Sequence, residues 1–325
     1  MVLDPQLQRV IASMHGPAMT GFARVSAPEA GEAIAASLAL QGAPRPVASV
    51  GELAVPSPGG PLPARTYRPA WSTGTAAGSA LPVLVYFPGA GFTLGDLELA
   101  DRPCRALANA TGAVVASVAC RAGDEQPFPA AVRDAGVAAR WFAEHADELG
   151  GDPTRIGVAG DGAGGTLAAL VALRARAHGD PVLALQVLIY PAVDLAGWWP
   201  SRAEFADGCP LTSADLDRFT EHYLNERPGT SAPGATELSP LRADDLSGLP
   251  PTVVVTAGHD PLRDEGQVYA AALNQAGVPV LDCRNDTMAH GFLGMAGAVE
   301  HADAVFTEIG DYAREVFATA ISAAR

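Results

Sequence analysis

The sequence predicts an α/β fold in which a mostly parallel sheet is covered by helices on both faces. Short runs of β-branched and aliphatic residues alternate along the chain with longer segments of helical periodicity. Such alternation is typical of parallel strands joined by crossover helices. The chain has 325 residues, of which 48% are hydrophobic and 18% are charged, so it can bury one large core.

The predicted elements follow in order along the chain. Residues 3–42 have an alanine-rich helical pattern with breaks at Gly16-Pro17 and Pro28. A turn-rich segment at 56–60 joins the first two strands and favours a hairpin. Strands are predicted at 47–55, 62–67, 82–87, 113–119, 155–158, 183–190, 252–256 and 278–284. Helices are predicted at 129–149, 163–177, 263–275 and 302–324.

The alternation breaks between Leu195 and Leu238, where an aromatic-rich insertion surrounds a short helical pattern at 213–224. Its aromatic residues are Trp198, Trp199, Phe205, Phe219 and Tyr223. They either form a lid over a ligand site or pack the insertion onto the sheet, and we expect the lid. One structural domain is expected, with cap elements at 1–45 and 195–238 and a core at 46–194 and 239–325.

Charge and residue usage exclude several classes of function. A net charge of −15 argues against nucleic acid and anionic membrane partners. All 21 basic residues are arginines, which excludes Schiff-base, P-loop and Ser–Lys chemistry. The scattered cysteines Cys104, Cys120, Cys209 and Cys283 show neither C-x-x-C nor zinc spacing, which favours buried thiols. Without an apolar leader or a run of ~18 apolar residues, we expect a cytoplasmic protein with no membrane span, cofactor or metal.

The segment Gly160-Asp161-Gly162-Ala163-Gly164 is similar to a turn that presents a catalytic nucleophile. In the pattern G-x-S-x-G, a serine occupies the tip of a sharp turn between a buried strand and a helix. The flanks fit this context, because 154–159 is typical of a strand and 165–170 of an apolar helix. The tip of the turn, however, is Gly162, which has no side chain to act as a nucleophile.

Two later residues are candidates for an acid–base pair. Asp260 follows the predicted strand at 252–256, and His290 follows the predicted strand at 278–284. Both therefore lie at the carboxyl edge of a parallel sheet, where such folds place their sites. The order nucleophile, acid, histidine is the order used by α/β-hydrolases. We expect Asp260 to orient the His290 imidazole and to stabilise its protonated form.

Backbone N–H groups are the candidates for binding a developing negative charge. The segment 86–92 follows a predicted strand, at the position of an oxyanion-binding loop. We expect the oxyanion donors to be the N–H groups of Gly89, Ala90 and Ala163.

On these motifs, the chain resembles the hormone-sensitive-lipase-like (bacterial family IV) esterases of the α/β-hydrolase superfamily. The resemblance covers nearly the whole length and rests on the N-terminal cap helices and on motifs at 127–130 with Asp134, 160–165, 239–240, 249–251, 260–266 and 290–292. It implies an α/β-hydrolase fold with an eight-stranded, mostly parallel sheet and a helical cap. It also implies Asp260 as the acid and His290 as the base, and it is compatible with a homodimer.

The departures from the family pattern are concentrated at the site. The family elbow is usually G-D-S-A-G-G, and here Gly162 takes the place of the serine. The family oxyanion loop is usually H-G-G-G-F, and here Pro88 and Ala90 replace the histidine and the middle glycine. Pro88 has no N–H, and Ala90 adopts positive φ less readily than glycine.

Removing the nucleophile from a triad hydrolase lowers kcat roughly a million-fold, so an efficient serine esterase is excluded. We expect first a non-hydrolytic enzyme (a lyase, dehydratase, cyclase or isomerase) in which His290 and Asp260 remove a proton next to a carbonyl. The alternatives are a ligand-binding pseudo-hydrolase, residual water-driven hydrolysis, and a disarmed carboxylesterase. Each reading predicts a small apolar or acyl-type ligand.

Overall fold

The centre of the computed structural model, which describes residues 2–14, 36–71, 80–89, 97–121, 128–207, 210–224 and 238–323, is a twisted β-sheet. Its eight strands within these ranges are β1 (Ser49–Val55), β2 (Leu62–Arg68), β3 (Leu81–Phe87), β4 (Val114–Val118), β5 (Gly151–Asp161), β6 (Leu183–Ile189), β7 (Thr252–His259) and β8 (Val280–Ala289). Their order across the sheet is β1-β2-β4-β3-β5-β6-β7-β8. Strand β2 pairs antiparallel with β1 and β4, whereas the neighbours from β4 to β8 pair in parallel. The predicted mostly parallel sheet is confirmed.

Helices cover both faces of the sheet. They are α1 (Pro5–Ser13), α2 (Leu97–Thr111), α3 (Ala130–Glu144), α4 (Ala163–His178), α5 (Pro200–Glu204), α6 (Ser213–Leu224), α7 (Arg263–Gln275) and α8 (His301–Ala323), with a further helical segment at 36–40. Buried residues of α3, α4 and α7 pack on one face, and those of α1, α2 and α8 pack on the other. Strand β3 is buried along its whole length, as expected for a strand covered on both sides.

Helix α2 is absent from the elements predicted above, because Pro103 lies in its interior. A proline there removes one hydrogen bond of the helix and usually ends or kinks it. The carbonyl four residues earlier, that of Leu99, instead accepts a hydrogen bond from Gln41 Nε2 at 2.8 Å. The apolar face of α2 is buried against the sheet, and this packing offsets the weakened helix.

Three parallel strands extend further toward the carboxyl edge than their apolar patterns predict. Strand β5 ends at Asp161, β7 at His259 and β8 at Ala289. Polar residues near these ends concealed the extension. In β8 they are numerous, because β8 is an edge strand with several exposed side chains. As a consequence Gly162, Asp260 and His290 each directly follow a strand, at one edge of one sheet.

The two predicted cap segments, 1–45 and 195–238, are each described in part. The predicted N-terminal helical region is present as α1 and the segment 36–40, whereas 15–35 lies outside the described residues. The insertion contains α5 and α6, and its residues 208–209 and 225–237 also lie outside the described residues. Among the helices that the structure describes, none has the length and apolar character needed to span a bilayer.

Candidate active site

A cavity of about 540 Å³ lies at the carboxyl edge of the sheet. Its lining includes Gly162, Ala163 and His290, which follow β5 and β8. Residues of both cap segments also line it, namely Met14, Ala36, Leu40, Leu211, Leu216 and Phe219. Open α/β sheets bind ligands at this edge, so the position fits a ligand site.

A sharp backbone turn at Gly162 connects β5 to α4. Gly162 has φ 51° and ψ −117°, a conformation that a residue with a side chain adopts only under strain. The segment after β6 holds this turn, because the Gly162 N–H donates to the Ile189 carbonyl at 2.9 Å and the Ala192 N–H donates to the Gly162 carbonyl at 3.3 Å. Gly164 permits α4 to approach β3, since a Cβ there would lie 1.9 Å from the Phe87 carbonyl oxygen. The segment thus forms the strand-to-helix turn that its sequence predicts.

His290 and Asp260 form a hydrogen-bonded pair beside this turn. Asp260 Oδ2 lies 2.8 Å from His290 Nδ1, and Asp260 Oδ1 accepts the Leu262 N–H at 2.8 Å. The Asp260 side chain is only 1% exposed. Burial alone would lower the pKa of His290, but the carboxylates of Asp260 and Asp161 outweigh it and raise that pKa above its ordinary value. The carboxylate therefore orients the imidazole and stabilises its charged form.

The free nitrogen of this imidazole faces the turn. A Cβ built on Gly162 would lie 3.6 Å from His290 Nε2 and 3.8 Å from His290 Cε1, which is ordinary van der Waals contact. A hydroxyl one bond beyond that Cβ would be within hydrogen-bonding reach of Nε2. The two residues therefore have the relative placement of a nucleophile position and its base.

Asp161 changes the expected oxyanion donors. Its half-buried carboxylate accepts hydrogen bonds from the Tyr86 hydroxyl at 2.5 Å and the Gly89 N–H at 3.0 Å. Burial raises the pKa of Asp161, and these donors limit the rise. The Gly89 N–H therefore already has an acceptor in Asp161, and its role as an oxyanion donor stays a prediction. Ala90 lies outside the described residues.

Ala163 retains a suitable backbone donor. It is the first residue of α4, so its N–H has no acceptor within the helix, and the residue lines the cavity. The N-terminus of α4 also carries a partial positive charge, which favours binding of an oxyanion. Of the three expected donors, Ala163 is the one whose N–H is placed at the cavity by the turn.

The aromatic insertion contributes one side chain to the cavity rather than five. Phe219 lines it, whereas Trp198 is 74% exposed. Tyr223 packs edge-to-face on Phe128 with ring centroids 5.5 Å apart, and Phe205 packs beneath the Arg263 guanidinium. For these aromatics the interpretation as packing groups is the better one. Aliphatic residues of α6 and its approach supply the rest of this wall.

A buried charge network ties the insertion to the core. Glu265 on α7 is fully buried, and its Oε1 accepts the N–H groups of Val193 and Asp194 at 2.8 and 3.1 Å. Its Oε2 lies 3.0 Å from the guanidinium of Arg202 on α5. Burial raises the pKa of Glu265 to about 7, although Arg202 and the backbone donors oppose the rise.

Tyr190 is a cavity residue that the sequence reasoning missed. It lies just after β6, has φ 33°, and its ring centroid is 4.6 Å from that of His290. A Tyr-Pro dipeptide at the carboxyl end of a buried strand was the available signal, since such strand ends carry functional side chains. Within the described part of the chain, no group of three or more histidine, cysteine or acidic residues is placed to hold a metal.

Comparison with known proteins agrees with this geometry. Residues 84–294 match the sequence profile of a protein family with the alpha/beta hydrolase fold. Esterase LipI of Mycobacterium tuberculosis is 42% identical over 257 residues, which cover 79% of this chain and 79% of LipI. Carboxylic ester hydrolase LipN of the same organism is 44% identical over 252 residues, which cover 76% of this chain and 65% of LipN.

Solved structures of esterases are similar to this protein over nearly its full chain. An esterase of the archaeon Pyrobaculum calidifontis has a TM-score of 0.86 at 38% identity, covering 97% of this chain and 99% of its own. An ester hydrolase from the metagenome of Lake Arreo, complexed with a bipyridine phosphonate derivative, has a TM-score of 0.88 at 33% identity, covering 98% and 100%. The chain therefore belongs to the α/β-hydrolase superfamily, and within it to the hormone-sensitive-lipase-like (bacterial family IV) esterases.

Proposed function

We propose that this protein binds small apolar esters beside Gly162 and hydrolyses them slowly, with water as the nucleophile and His290–Asp260 as the base. The observation that carries the proposal is the 3.6 Å between His290 Nε2 and a Cβ built on Gly162. The space in front of that nitrogen, which a serine side chain would occupy, is comparable to one water molecule. In this proposal Gly162 stands at the nucleophile position of the family.

The chemistry requires a neutral imidazole. With Nδ1 held by Asp260, His290 Nε2 accepts a proton from water while the water oxygen attacks the ester carbonyl. Collapse of the tetrahedral intermediate releases the alcohol, which takes the proton back from His290. No acyl-enzyme forms, because Gly162 carries no nucleophilic atom. We expect a rate roughly 10⁶-fold below that of a serine esterase, yet about 10³–10⁴-fold above uncatalysed hydrolysis.

The relatives favour hydrolysis over the non-hydrolytic reaction expected first from the sequence. LipI, LipN and the Pyrobaculum calidifontis protein are named as esterases or ester hydrolases. The Lake Arreo ester hydrolase is complexed with a phosphonate derivative, whose tetrahedral phosphorus resembles the intermediate of ester hydrolysis. Proton abstraction next to a carbonyl remains the second candidate. The absence of a nucleophilic side chain at Gly162 favours it, because the same base would serve.

Ligand class and location follow from the surroundings of the site. The aliphatic residues and Phe219 that line the cavity support an apolar acyl or alcohol group. We propose that the two cap segments, 1–45 and 195–238, form the cover of this ligand site. Cys104, Cys120 and Cys283 are buried free thiols, which supports a reducing, cytoplasmic location.

The test is a pair of substitutions at Gly162, assayed with p-nitrophenyl butyrate. Gly162→Ser supplies a hydroxyl beside His290 Nε2, and we expect a rate gain on the order of 10³-fold or more. Gly162→Ala is the matched control, because it brings the same Cβ and the same backbone strain without the hydroxyl. Intact mass should reveal an acyl adduct in the Ser variant alone.

The wild-type reaction itself is tested by His290→Ala. We expect this variant to lose the slow hydrolysis of the ester entirely, whereas the wild type releases acid and alcohol in equal amounts. A wild-type rate that survives His290→Ala would refute the proposed function. Conversion of a carbonyl substrate without uptake of water would establish the second candidate instead.

A further inference from the structure

The backbone of Tyr190 is strained at the edge of the cavity. Its φ is 33°, and among the described residues no other residue except glycine has a positive φ. The residue before a proline normally adopts an extended conformation, and bulky side chains disfavour positive φ. Such strain persists only where the surroundings impose it, and it is concentrated at functional sites.

Neighbouring contacts fix this conformation against the Gly162 turn. The Tyr190 N–H donates to the Val255 carbonyl at 2.7 Å. Residues on either side of Tyr190 hold Gly162, because Ile189 accepts its N–H and Ala192 donates to its carbonyl. Tyr190 is thus placed beside the reacting position by backbone bonds on both sides of it.

The ring of Tyr190 packs on the base. Its centroid lies 4.6 Å from the His290 imidazole with planes tilted by 55°, and 6.1 Å from the Phe292 ring. The residue is 4% exposed and lines the cavity. The two neighbouring rings therefore hold the Tyr190 ring in place at the cavity.

The hydroxyl of Tyr190 makes no hydrogen bond to the part of the chain that the structure describes. The neighbouring Tyr86 hydroxyl, by contrast, donates to Asp161. Tyr190 lines the cavity of about 540 Å³, so a ligand or water in that cavity can hydrogen-bond to its hydroxyl.

Among the residues that the structure describes, few backbone donors are placed to bind a ligand oxygen. Pro88 has no N–H. The Gly89 N–H is occupied by Asp161 at 3.0 Å. Ala163 supplies one N–H, whereas two or more donors usually stabilise an oxyanion.

We propose that the Tyr190 hydroxyl donates a hydrogen bond to the carbonyl oxygen, and then to the oxyanion, of the ligand bound beside His290. The ligand class is that of the proposed function, namely esters and molecules with a tetrahedral oxyanion. In the step described above, the carbonyl carbon gains the water oxygen and its own oxygen becomes negative. Tyr190 stabilises that oxygen without transferring its proton, and the carbonyl reforms when the alcohol leaves.

The surroundings keep the phenol protonated for this task. Burial raises the pKa of Tyr190 well above its ordinary value, and the carboxylates of Asp161 and Asp260 raise it further. The hydroxyl remains a donor over the whole range in which His290 can act as a base.

The test measures binding of a substrate mimic that cannot react. Butyl methylphosphonate, a monoanion with tetrahedral phosphorus, is titrated calorimetrically into the wild type and Tyr190→Phe. This variant keeps the ring against His290 and removes only the hydroxyl. Because hydrogen bonds to charged groups are among the stronger ones, we expect about ten-fold weaker binding or more. Tyr269→Phe is the matched control, since Tyr269 is a fully buried tyrosine on α7 with an unpartnered hydroxyl, and it should bind as the wild type does.

Three results would overturn the inference: equal affinity of Tyr190→Phe and wild type, no binding by the wild type, or a matching loss in Tyr269→Phe. The His290 imidazole is followed by NMR in the same samples, and a displaced ring signal in Tyr190→Phe would also count against it. A different result would show that the proposed function fails while the inference on Tyr190 holds. In that case the wild type would bind the phosphonate more tightly than Tyr190→Phe does, but it would not hydrolyse esters.

Discussion

Gly162 removes two properties of a nucleophile turn at once. It has no hydroxyl, and it adopts φ 51° without the steric conflict that a Cβ would cause. A residue with a side chain in such a conformation costs about 1–3 kcal/mol. The His290–Asp260 pair is retained at 2.8 Å. At the level of single residues, the site therefore has a His290–Asp260 pair beside a turn whose tip carries neither a hydroxyl nor the strain of a residue with a side chain.

The pair sets the pH dependence of any reaction at this site. Because the pKa of His290 is raised, the neutral base accumulates only as pH rises through a value above the ordinary ~6.5. Activity should follow that rise. Asp260→Asn removes the charge that raises the pKa of His290, so the NMR titration of His290 should move to lower pH. We also expect the activity of this variant to fall to about the uncatalysed rate, because the tautomer is no longer fixed.

Asp264→Asn is the control for this prediction. Asp264 lies four residues further along the same segment and pairs with Arg263 rather than with His290. Its substitution should leave the His290 titration where it is. Identical profiles for the wild type and Asp260→Asn would contradict the assigned role of the carboxylate.

At the scale of elements, the close approach of α4 to β3 positions the turn. A Cβ on Gly164 would lie 1.9 Å from the Phe87 carbonyl oxygen, and backbone atoms cannot yield as a side chain can. We expect Gly164→Ala to lower the free energy of unfolding by more than about 3 kcal/mol, the range of severe backbone and overpacking conflicts. Urea denaturation followed by circular dichroism measures the loss.

Gly136→Ala provides the matched comparison. Gly136 is also inside a helix, α3, but nothing lies within 4 Å of a Cβ built there. Alanine is the better helix former by up to about 1 kcal/mol, so this variant should be as stable as the wild type or more so. Equal destabilisation of both variants would show that helix propensity, not the approach to β3, decides the outcome.

The same elements show what a sequence can and cannot predict. Apolar runs located five strands, β1, β2, β3, β4 and β6, to within two residues at each end. The runs of β3 and β4 are clear because these strands are buried along their whole length. Helix α2 was missed, since the hydrogen bond that compensates Pro103 comes from distant Gln41. The order of motifs was enough to pair Asp260 with His290. The contact of Tyr190 with His290 and the hydrogen bond from the Gly89 N–H to Asp161 depend on the three-dimensional structure, and no local sequence pattern encodes them.

For the whole molecule, Glu265 links stability to pH. In an unfolded chain a glutamate titrates near ~4.3, whereas burial raises the folded pKa of Glu265 to about 7. Between these values the folded state holds the proton more tightly. The contribution of this group to stability is therefore present at low pH and is lost as pH rises through about 7.

This loss can be measured directly. In the wild type, titration of Glu265 should make the free energy of unfolding fall with pH, by up to about 1.4 kcal/mol per pH unit between pH ~5 and ~7. Glu265→Gln cannot titrate, so its free energy of unfolding should lack this decrease. Urea denaturation at several pH values provides the measurement. Glu204→Gln, an exposed residue paired with Arg263, is the control and should keep the wild-type slope. The prediction is wrong if Glu265→Gln keeps it too.

The hydrogen bond from Gln41 to Leu99 has a practical consequence for handling the protein. Leu40 and Gln41 line the cavity while Gln41 also satisfies the carbonyl that Pro103 leaves free. Shortening the chain to remove its first forty-odd residues would therefore both open the ligand space and expose a helix defect. Expression vectors for this protein should keep that leading segment intact and carry any affinity tag at the other terminus.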